Sequence, residues 1–218
     1  MADDITLYDA IVAGDTKAAV TAARTALDEG VDPVELVSRQ MIPAMDEVGR
    51  LFACEEYFVP ELLLAARAMK GALGLVRPLL ASSGVEPVGR VVIGTVMGDL
   101  HDIGKNLVAS MLEGAGFEII DLGADVTPAR FIQAIQEKKA DIACLSALLT
   151  VTMPAMRETI EAIRQAGIRN RVKVLVGGAP VTQQYADKIG ADGYSDNASG
   201  AVSLARKLMG ISMPKGTG

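Results

Sequence analysis

The sequence has no tryptophan, only four phenylalanines and four tyrosines, and a net charge of −6 over its 218 residues. A nucleic-acid surface requires a basic face or aromatic rings on which bases stack, and the sequence is poor in both. No uninterrupted apolar run reaches the roughly 20 residues that a membrane-crossing helix needs. Residues 1–6 carry two acids instead of the basic and then apolar start of a secretion signal. We therefore expect a cytoplasmic protein that binds neither nucleic acid nor membrane.

Cysteine and histidine are also scarce, with two cysteines and one histidine. Cys54 and Cys144 lie far apart and do not form a Cys-x-x-Cys pattern, so the sequence indicates neither a disulfide framework nor a zinc knuckle. We expect both to be packing residues. His101 is the only histidine. The composition, with 50% hydrophobic and 22% charged residues, is that of an ordinary globular protein with a sizeable core.

Helical periodicity fills the sequence from residue 3 to about residue 83. Asp32 followed by Pro33 is a typical helix start, with a capping side chain and a proline in the first turn. Two apolar stripes follow at helical spacing, the first with Val37, Met41, Met45, Val48 and Phe52, and the second with Leu62, Ala66, Met69, Leu73, Val76 and Leu80. Pro43 should kink or split the first of them. The pattern predicts a small helical bundle.

The pattern changes at residues 82–89, where small and polar linker residues accumulate. Beyond them, five short apolar runs alternate with amphipathic helices; the runs are 90–97, 117–122, 141–148, 173–176 and 191–194. Repeated β-α units with buried strands predict an α/β fold, a flavodoxin-like or Rossmann-like parallel sheet covered by helices on both faces, with strand order 2-1-3-4-5. We expect a helical domain over residues 1–84 and an α/β domain over residues 90–211.

The loop Gly98–Gly104 follows the first predicted strand and contains His101. In this strand order the loops after the first and third strands face each other across the ligand crevice. The loop lacks the GxGxxG pattern of dinucleotide-binding proteins, and the chain has no GxxxxGK[ST] phosphate loop. A phosphoacceptor receiver domain would need an aspartate at the end of the third strand, where this chain has Ser146.

The sequence contains three separated motifs, namely Asp99-x-His101-x-x-Gly104, Ser146-x-Leu148-x-Thr150 and Gly177-Gly178. Together they resemble the cobalamin-binding signature of methionine synthase and of the small corrinoid proteins of methyltransferase systems. Upstream, Leu51-Phe52, the segment 56–61 and Ala65-Ala66-Arg67-Ala68-Met69 are similar to the helical cap that precedes the binding domain in those proteins. The resemblance extends over nearly the whole chain.

The resemblance implies a role for each matching residue. His101 would bind the cobalt of cobalamin in place of the cofactor's own dimethylbenzimidazole, with Asp99 as its hydrogen-bonded partner. Ser146 would hydrogen-bond the displaced base, and Leu148 and Thr150 would help to line the pocket. Four glycines would leave room for the nucleotide tail: Gly94, Gly104, Gly177 and Gly178. Phe52 and Val59 match cap positions that cover the upper face of the corrin ring.

Each of these residues also has an ordinary structural interpretation. A single histidine in a polar loop can be merely solvated, and an aspartate before a helix can simply cap it. Ser146 can satisfy a backbone group, and two adjacent glycines can form a tight turn. Phe52 continues the apolar stripe of its helix. The sequence alone leaves these alternatives open.

The resemblance implies a corrinoid methyl carrier that holds cobalamin, as methylcobalamin or cob(I)alamin, with the base off and histidine on. Its expected partners are a substrate-specific methyltransferase, a second methyltransferase with a folate or thiol acceptor, and a reductive activase. We identify no independent catalytic acid, base or nucleophile in the sequence. Two other interpretations are the cobalamin-binding subunit of an adenosylcobalamin mutase, which typically has no such cap, and a cobalamin-based sensor, which normally adds a DNA-binding module.

Overall fold

The structure, a computed structural model, describes residues 6–82 and 86–211. The chain divides into two compact units. One runs up to Pro87 and also includes Ser110–Gly116, and the other comprises Val88–Ala109 and the chain from Phe117 onward. Residues 83–85, at the predicted domain boundary, lie outside the described part, so the domain limits of 1–84 and 90–211 stay a prediction.

The first unit is helical, as its periodicity predicts. Its helices are α1 Leu7–Val12, α2 Thr16–Asp28, α3 Pro33–Leu36, α4 Ile42–Ala53 and α5 Val59–Ser82. The expected cap at Asp32 is present: its carboxylate accepts the amides of Val34 and Glu35 at 2.8 and 3.1 Å. The buried side chains include Leu36, Met41, Met45, Leu62 and Met69, which belong to the two predicted stripes or flank them.

Pro43 produces a local change of helix type instead of a break. A π-helical turn, Val37–Met41, joins α3 to α4, and the amide of Ile42 donates to the carbonyl of Val37. Because proline has no N–H to donate, a wider turn beside Pro43 keeps the helix continuous where a regular α-helical hydrogen bond is lost.

The second unit contains the predicted parallel sheet. Its strands are β1 Arg90–Thr95, β2 Glu118–Asp121, β3 Ile142–Ser146, β4 Lys173–Gly177 and β5 Gly193–Tyr194. The order is β2-β1-β3-β4-β5, and every pairing is parallel, so the predicted fold class and topology are confirmed. In the register of the sheet, Thr95 pairs with Ser146 and Ser146 pairs with Gly177. The carboxyl ends of β1, β3 and β4 therefore lie side by side.

One helix follows each strand of the sheet: α6 Ile103–Gly114, α7 Pro128–Lys138, α8 Met153–Gln165, α9 Gln183–Ile189 and α10 Ala198–Leu208. Phe131, Ile135, Met156 and Ile160 pack with β1, β3 and β4 in the core. Among the helices of the described residues, none combines the length and hydropathy that crossing a membrane requires. Both cysteines are free; Cys144 is buried as expected, whereas the expectation for Cys54 is wrong, because it is exposed at the end of α4.

Candidate cofactor-binding site

The loop between β1 and α6 is held in one conformation by its own backbone and by Thr95. Gly98 has a φ of +84°, which favours glycine, and the amide of Asp99 donates to the carbonyl of Val96 at 3.1 Å. The buried hydroxyl of Thr95 donates to the carbonyl of His101 at 2.8 Å. The loop therefore leaves the sheet in a tight turn, and the backbone of His101 is held in place by Thr95.

His101 and Asp99 form a hydrogen-bonded pair within this loop. One carboxylate oxygen, Oδ1, lies 2.8 Å from Nδ1 of the imidazole and also accepts the amide of His101 at 3.0 Å. The Asp99 side chain is completely buried, whereas half of the His101 side chain is exposed. The buried carboxylate thus holds one edge of the ring while the other edge faces outward.

The second oxygen of Asp99 ties this pair to the loop after β3. Oδ2 accepts the amide of Leu148 at 2.8 Å, the amide of Leu149 at 3.3 Å and the hydroxyl of Thr152 at 2.6 Å. Burial by itself would raise the pKa of the Asp99 carboxyl. The hydrogen bonds from Thr152 and from the amides of His101 and Leu148 outweigh it and hold the pKa well below its usual range.

An ionised Asp99 determines the tautomer of the histidine. A carboxylate can only accept hydrogen bonds, so Nδ1 of His101 must carry the proton that it donates to Oδ1. In the neutral ring, the lone pair is then on the other ring nitrogen, Nε2. A neutral imidazole held in this way by a carboxylate is the usual arrangement of a histidine metal ligand.

The other predicted residues of this unit lie at the same edge of the sheet. Ser146 is the last residue of β3 and Gly177 the last residue of β4, and both are half-buried. Leu148 and Thr150 are exposed on the loop after β3, and Gly104 is in the first turn of α6 with open space where a side chain would begin. The structure therefore brings together the predicted residues of the α/β unit.

Two of the predicted glycines have packing reasons. A Cβ on Gly178, which has a φ of +130°, would lie 1.9 Å from the carbonyl oxygen of Ala147. A Cβ on Gly94 would lie 2.9 Å from the ring of Phe131 and 3.1 Å from Val126. Gly94 therefore has a packing reason in its contacts with Phe131 and Val126, and the expectation that it makes room for a nucleotide tail stays a prediction.

Phe52 and Val59 belong to the helical unit and are described within it alone. Phe52 ends its stripe only half-buried, and Val59 is 43% exposed at the start of α5. Full burial in the core of that unit therefore does not account for either residue.

Thr152 is a residue of this site that the sequence reasoning missed. It stands immediately before the Met153-Pro154 start of α8, where threonine ordinarily caps the helix. Its side chain makes no capping hydrogen bond there; the hydroxyl lies 2.6 Å from Oδ2 of Asp99 and 2.9 Å from the carbonyl oxygen of Leu149. The sequence signal was its capping position, but only the fold shows that the hydroxyl has another partner.

The chemistry of the donor set fits cobalamin. One imidazole nitrogen is available, which suits a metal whose other positions are filled mainly by its own macrocycle. Large apolar side chains stand exposed on the two loops that carry the Asp99 network, namely Leu100, Ile103, Leu148, Leu149 and Val151. Exposed apolar groups around a few convergent polar ones are typical of a site for a large, mostly apolar ligand.

Comparison with known proteins gives two family matches. Residues 89–203 match the family described as B12 binding domain, and residues 6–77 match a second family with the same description. The chain is 44% identical over 203 residues to trimethylamine corrinoid protein 1 of Methanosarcina acetivorans, which covers 92% of this chain and 94% of that relative.

Two solved structures are similar over nearly the whole chain. A cobalamin-binding protein from Desulfitobacterium hafniense superposes with a TM-score of 0.75 at 31% identity, covering 95% of this chain and 99% of the other. A chain of the methanol:cobalamin methyltransferase complex MtaBC from Methanosarcina barkeri superposes with a TM-score of 0.83 at 28% identity, covering 98% of this chain and 82% of the other.

Proposed function

This chain belongs to the B12-binding domain family, and we propose that it is a corrinoid methyl carrier that receives a methyl group from a substrate-specific methyltransferase and passes it to a second methyltransferase. The family membership supports cobalamin as the cofactor. A trimethylamine corrinoid protein is 44% identical over almost the full length, and a chain of a methanol:cobalamin methyltransferase complex has the same fold, which favours this function over a mutase subunit or a sensor. We propose further that the second methyltransferase transfers the methyl group to a folate or a thiol. We also propose that a reductive activase is a partner and that the protein is located in the cytoplasm.

The observation that carries the proposal is the 2.8 Å contact between Nδ1 of His101 and the buried carboxylate of Asp99. Because Nδ1 is occupied by its hydrogen bond to Asp99, Nε2 is the ring nitrogen that would bind the cobalt of cobalamin. Thr152 and the amides of the loop after β3 hold the carboxylate in place, and the ring therefore does not have to reorganise when it binds metal. When bound, cobalamin supplies the cobalt centre that accepts and releases the methyl group.

The remaining residues would bind the rest of the cofactor. We propose that Ser146 and Gly177, together with Gly178, border the path of the nucleotide tail at the ends of β3 and β4. Leu148, Thr150 and Gly104 would line the pocket on the two neighbouring loops. Phe52 and Val59 would shield the upper face of the corrin ring, as the resemblance implies. None of these residues exchanges a proton or a methyl group in this proposal. Each of them contacts the cofactor or keeps water away from it.

The single histidine makes a clean test of base-off, histidine-on binding possible. In the Co(II) holoprotein, electron paramagnetic resonance should show hyperfine splitting from one axial nitrogen. Protein made with nitrogen-15 histidine should change that splitting, and His101→Ala should abolish the change. Splitting that the label leaves unaltered would mean that the cofactor's own base binds cobalt, which would contradict the assignment.

The carrier role is tested with the holoprotein after its cofactor has been reduced to cob(I)alamin. The reduced holoprotein should become methylated from a methylamine or from methanol only after a methyltransferase for that substrate is added. The optical spectrum of the corrinoid measures the methylation. Methylation without such a partner would contradict a pure carrier.

A further inference from the structure

A segment that leaves β2 contacts the start of the His101 loop. This β2–α7 segment, residues 121–126, contains Asp125, whose carboxylate accepts the amide of Gly98 at 2.7 Å. The amide of Asp125 in turn donates to the carbonyl of Asp99 at 2.9 Å. Asp125 has a φ of +54°, a left-handed conformation that is uncommon for residues other than glycine, asparagine and aspartate. A backbone held in this conformation shows that the surrounding contacts fix the segment.

The same segment contacts the end of the loop through an ion pair. Lys105, in the first turn of α6, is buried, and its ammonium donates to both carboxylate oxygens of Asp121 at 2.6 and 2.7 Å. It also donates to the side chain of Asn106 at 2.6 Å. One oxygen of Asp121 accepts the amide of Gly123 at 2.9 Å, which closes the turn that leads toward Asp125. A buried ammonium requires such a partner, because an unpaired charge in the interior is costly.

Both ends of the loop that carries His101 are therefore fixed to the β2–α7 segment, at Asp125 and at Asp121. Within the loop, Asp99 orients the imidazole ring of His101. Because both residues belong to the loop, this contact does not fix the position of the loop as a whole. The position depends on where Gly98 and Lys105 are held. A ligand atom must lie within a few tenths of an ångström of its place for a metal bond, so a small shift of the loop would weaken that bond.

We propose that Asp121, Asp125 and Lys105 are positioning residues. They fix where Nε2 of His101 lies relative to a bound corrinoid, and so they set the fraction of the cofactor that is bound through histidine. The proposal rests on the proposed function, in which Nε2 of His101 is the cobalt ligand. The ordinary alternative is that these contacts only anchor α6 to the sheet.

Variants are available that remove each contact without new strain. Asp125→Gly deletes the carboxylate and tolerates the left-handed backbone, whereas Asp125→Asn keeps an oxygen that can accept the amide of Gly98. Because Asp121→Asn alone would leave a buried charge unpaired, the ion pair is removed as the double variant Lys105→Met with Asp121→Asn. Glu118→Gln is the matched control, since it breaks the pair with Arg90 at the opposite end of the same strand.

The first measurement uses the apoprotein. Hydrogen exchange in peptides that cover residues 98–104 should be about tenfold faster in Asp125→Gly and in the double variant, because each loses a hydrogen bond that closes the loop. Exchange in Asp125→Asn and Glu118→Gln should stay within about twofold of the wild-type rate. Equal exchange in all proteins would overturn the proposal at its first step.

The second measurement uses holoprotein that contains nitrogen-15 histidine. In Asp125→Gly and in the double variant, the part of the signal whose splitting responds to the label should fall to half of its wild-type intensity or less. Asp125→Asn should retain the wild-type intensity. Faster exchange with unchanged splitting would mean that the contacts only anchor the helix, which overturns positioning. A wild-type spectrum that is insensitive to the label would instead overturn ligation by His101 itself, so the two failures are distinguishable.

Discussion

Asp99 is the residue on which the geometry of the site depends. Its two oxygens accept hydrogen bonds from two elements: the His101 loop binds at Oδ1, and the loop after β3 binds at Oδ2. Because all these partners are donors, a residue that can only accept is required. Aspartic acid in its ionised form meets that requirement at a position with no access to water.

Asp99→Asn should lower the free energy of unfolding at neutral pH by about 1–3 kcal/mol. In either orientation of the amide, its NH2 group faces a donor, either the amide of His101 or those of Leu148 and Leu149. Guanidinium denaturation of the apoprotein measures the change. Asp102→Asn is the control, because Asp102 is exposed in the same loop, and it should change stability by less than about 0.5 kcal/mol.

The same comparison should depend on pH with a defined sign. The folded pKa of Asp99 is lowered, so its ionisation stabilises the fold above the unfolded pKa of about 3.9, and this stability is lost as the pH falls toward the folded pKa. The difference between wild type and Asp99→Asn should therefore be nearly constant from about pH 5 to 8 and shrink below about pH 4. A difference that grows on acidification would contradict the assignment.

The strands β3 and β4 end where the backbone that follows each of them makes contacts outside the sheet. The sequence predicts that the third strand runs to Leu148, but β3 ends at Ser146 because the amides of Leu148 and Leu149 donate to Asp99. Just after β4, Gly178 passes so close to Ala147 that a side chain cannot be placed there. The two strand ends thus form a backbone-lined edge with little room for side chains.

Ser146 and Gly178 should respond differently to enlargement. Ser146→Leu should weaken cobalamin binding by at least about tenfold with a thermal midpoint close to that of the wild type, because overpacking a ligand path mainly penalises the bound state. Gly178→Val should lower the thermal midpoint itself, since its Cβ would overlap the carbonyl of Ala147. Calorimetric titration and thermal unfolding separate the effects, with Ala179→Val as an exposed control. Unchanged affinity in Ser146→Leu would mean that the tail lies elsewhere.

At the scale of the whole molecule, the chain combines a helical unit and an α/β unit, each matched by a B12-binding family. The α/β unit carries the candidate cobalt ligand. In the helical unit, Phe52 and Val59 keep part of their apolar surface outside the core. Exposed apolar side chains of this kind are consistent with a role in covering a ligand.

Phe52→Ala in the full-length protein should speed the photolysis of bound methylcobalamin. In the proposed shielding role, the Phe52 ring would slow the loss of the methyl group from the bound cofactor in light, so removing the ring should raise the photolysis rate. Val34→Ala, an exposed apolar residue of the same unit, is the control and should leave the rate unchanged. Equal rates in wild type and Phe52→Ala would contradict the shielding role, provided that both bind cobalamin.

The sequence by itself determined the fold class, the strand order and the approximate bounds of most elements, because burial imposes periodicity and a parallel sheet limits the possible connections. The resemblance to corrinoid proteins indicated Asp99 and His101 as a pair, whereas their places in one loop left open whether Asp99 only caps the following helix; the structure shows the contact between them. Only the tertiary structure decided the role of Thr152, the packing reason for Gly94 and the contacts of Asp121 and Asp125 with the His101 loop. These contacts join residues far apart in the chain, and a hydrogen bond between distant side chains leaves no periodic signal in the sequence.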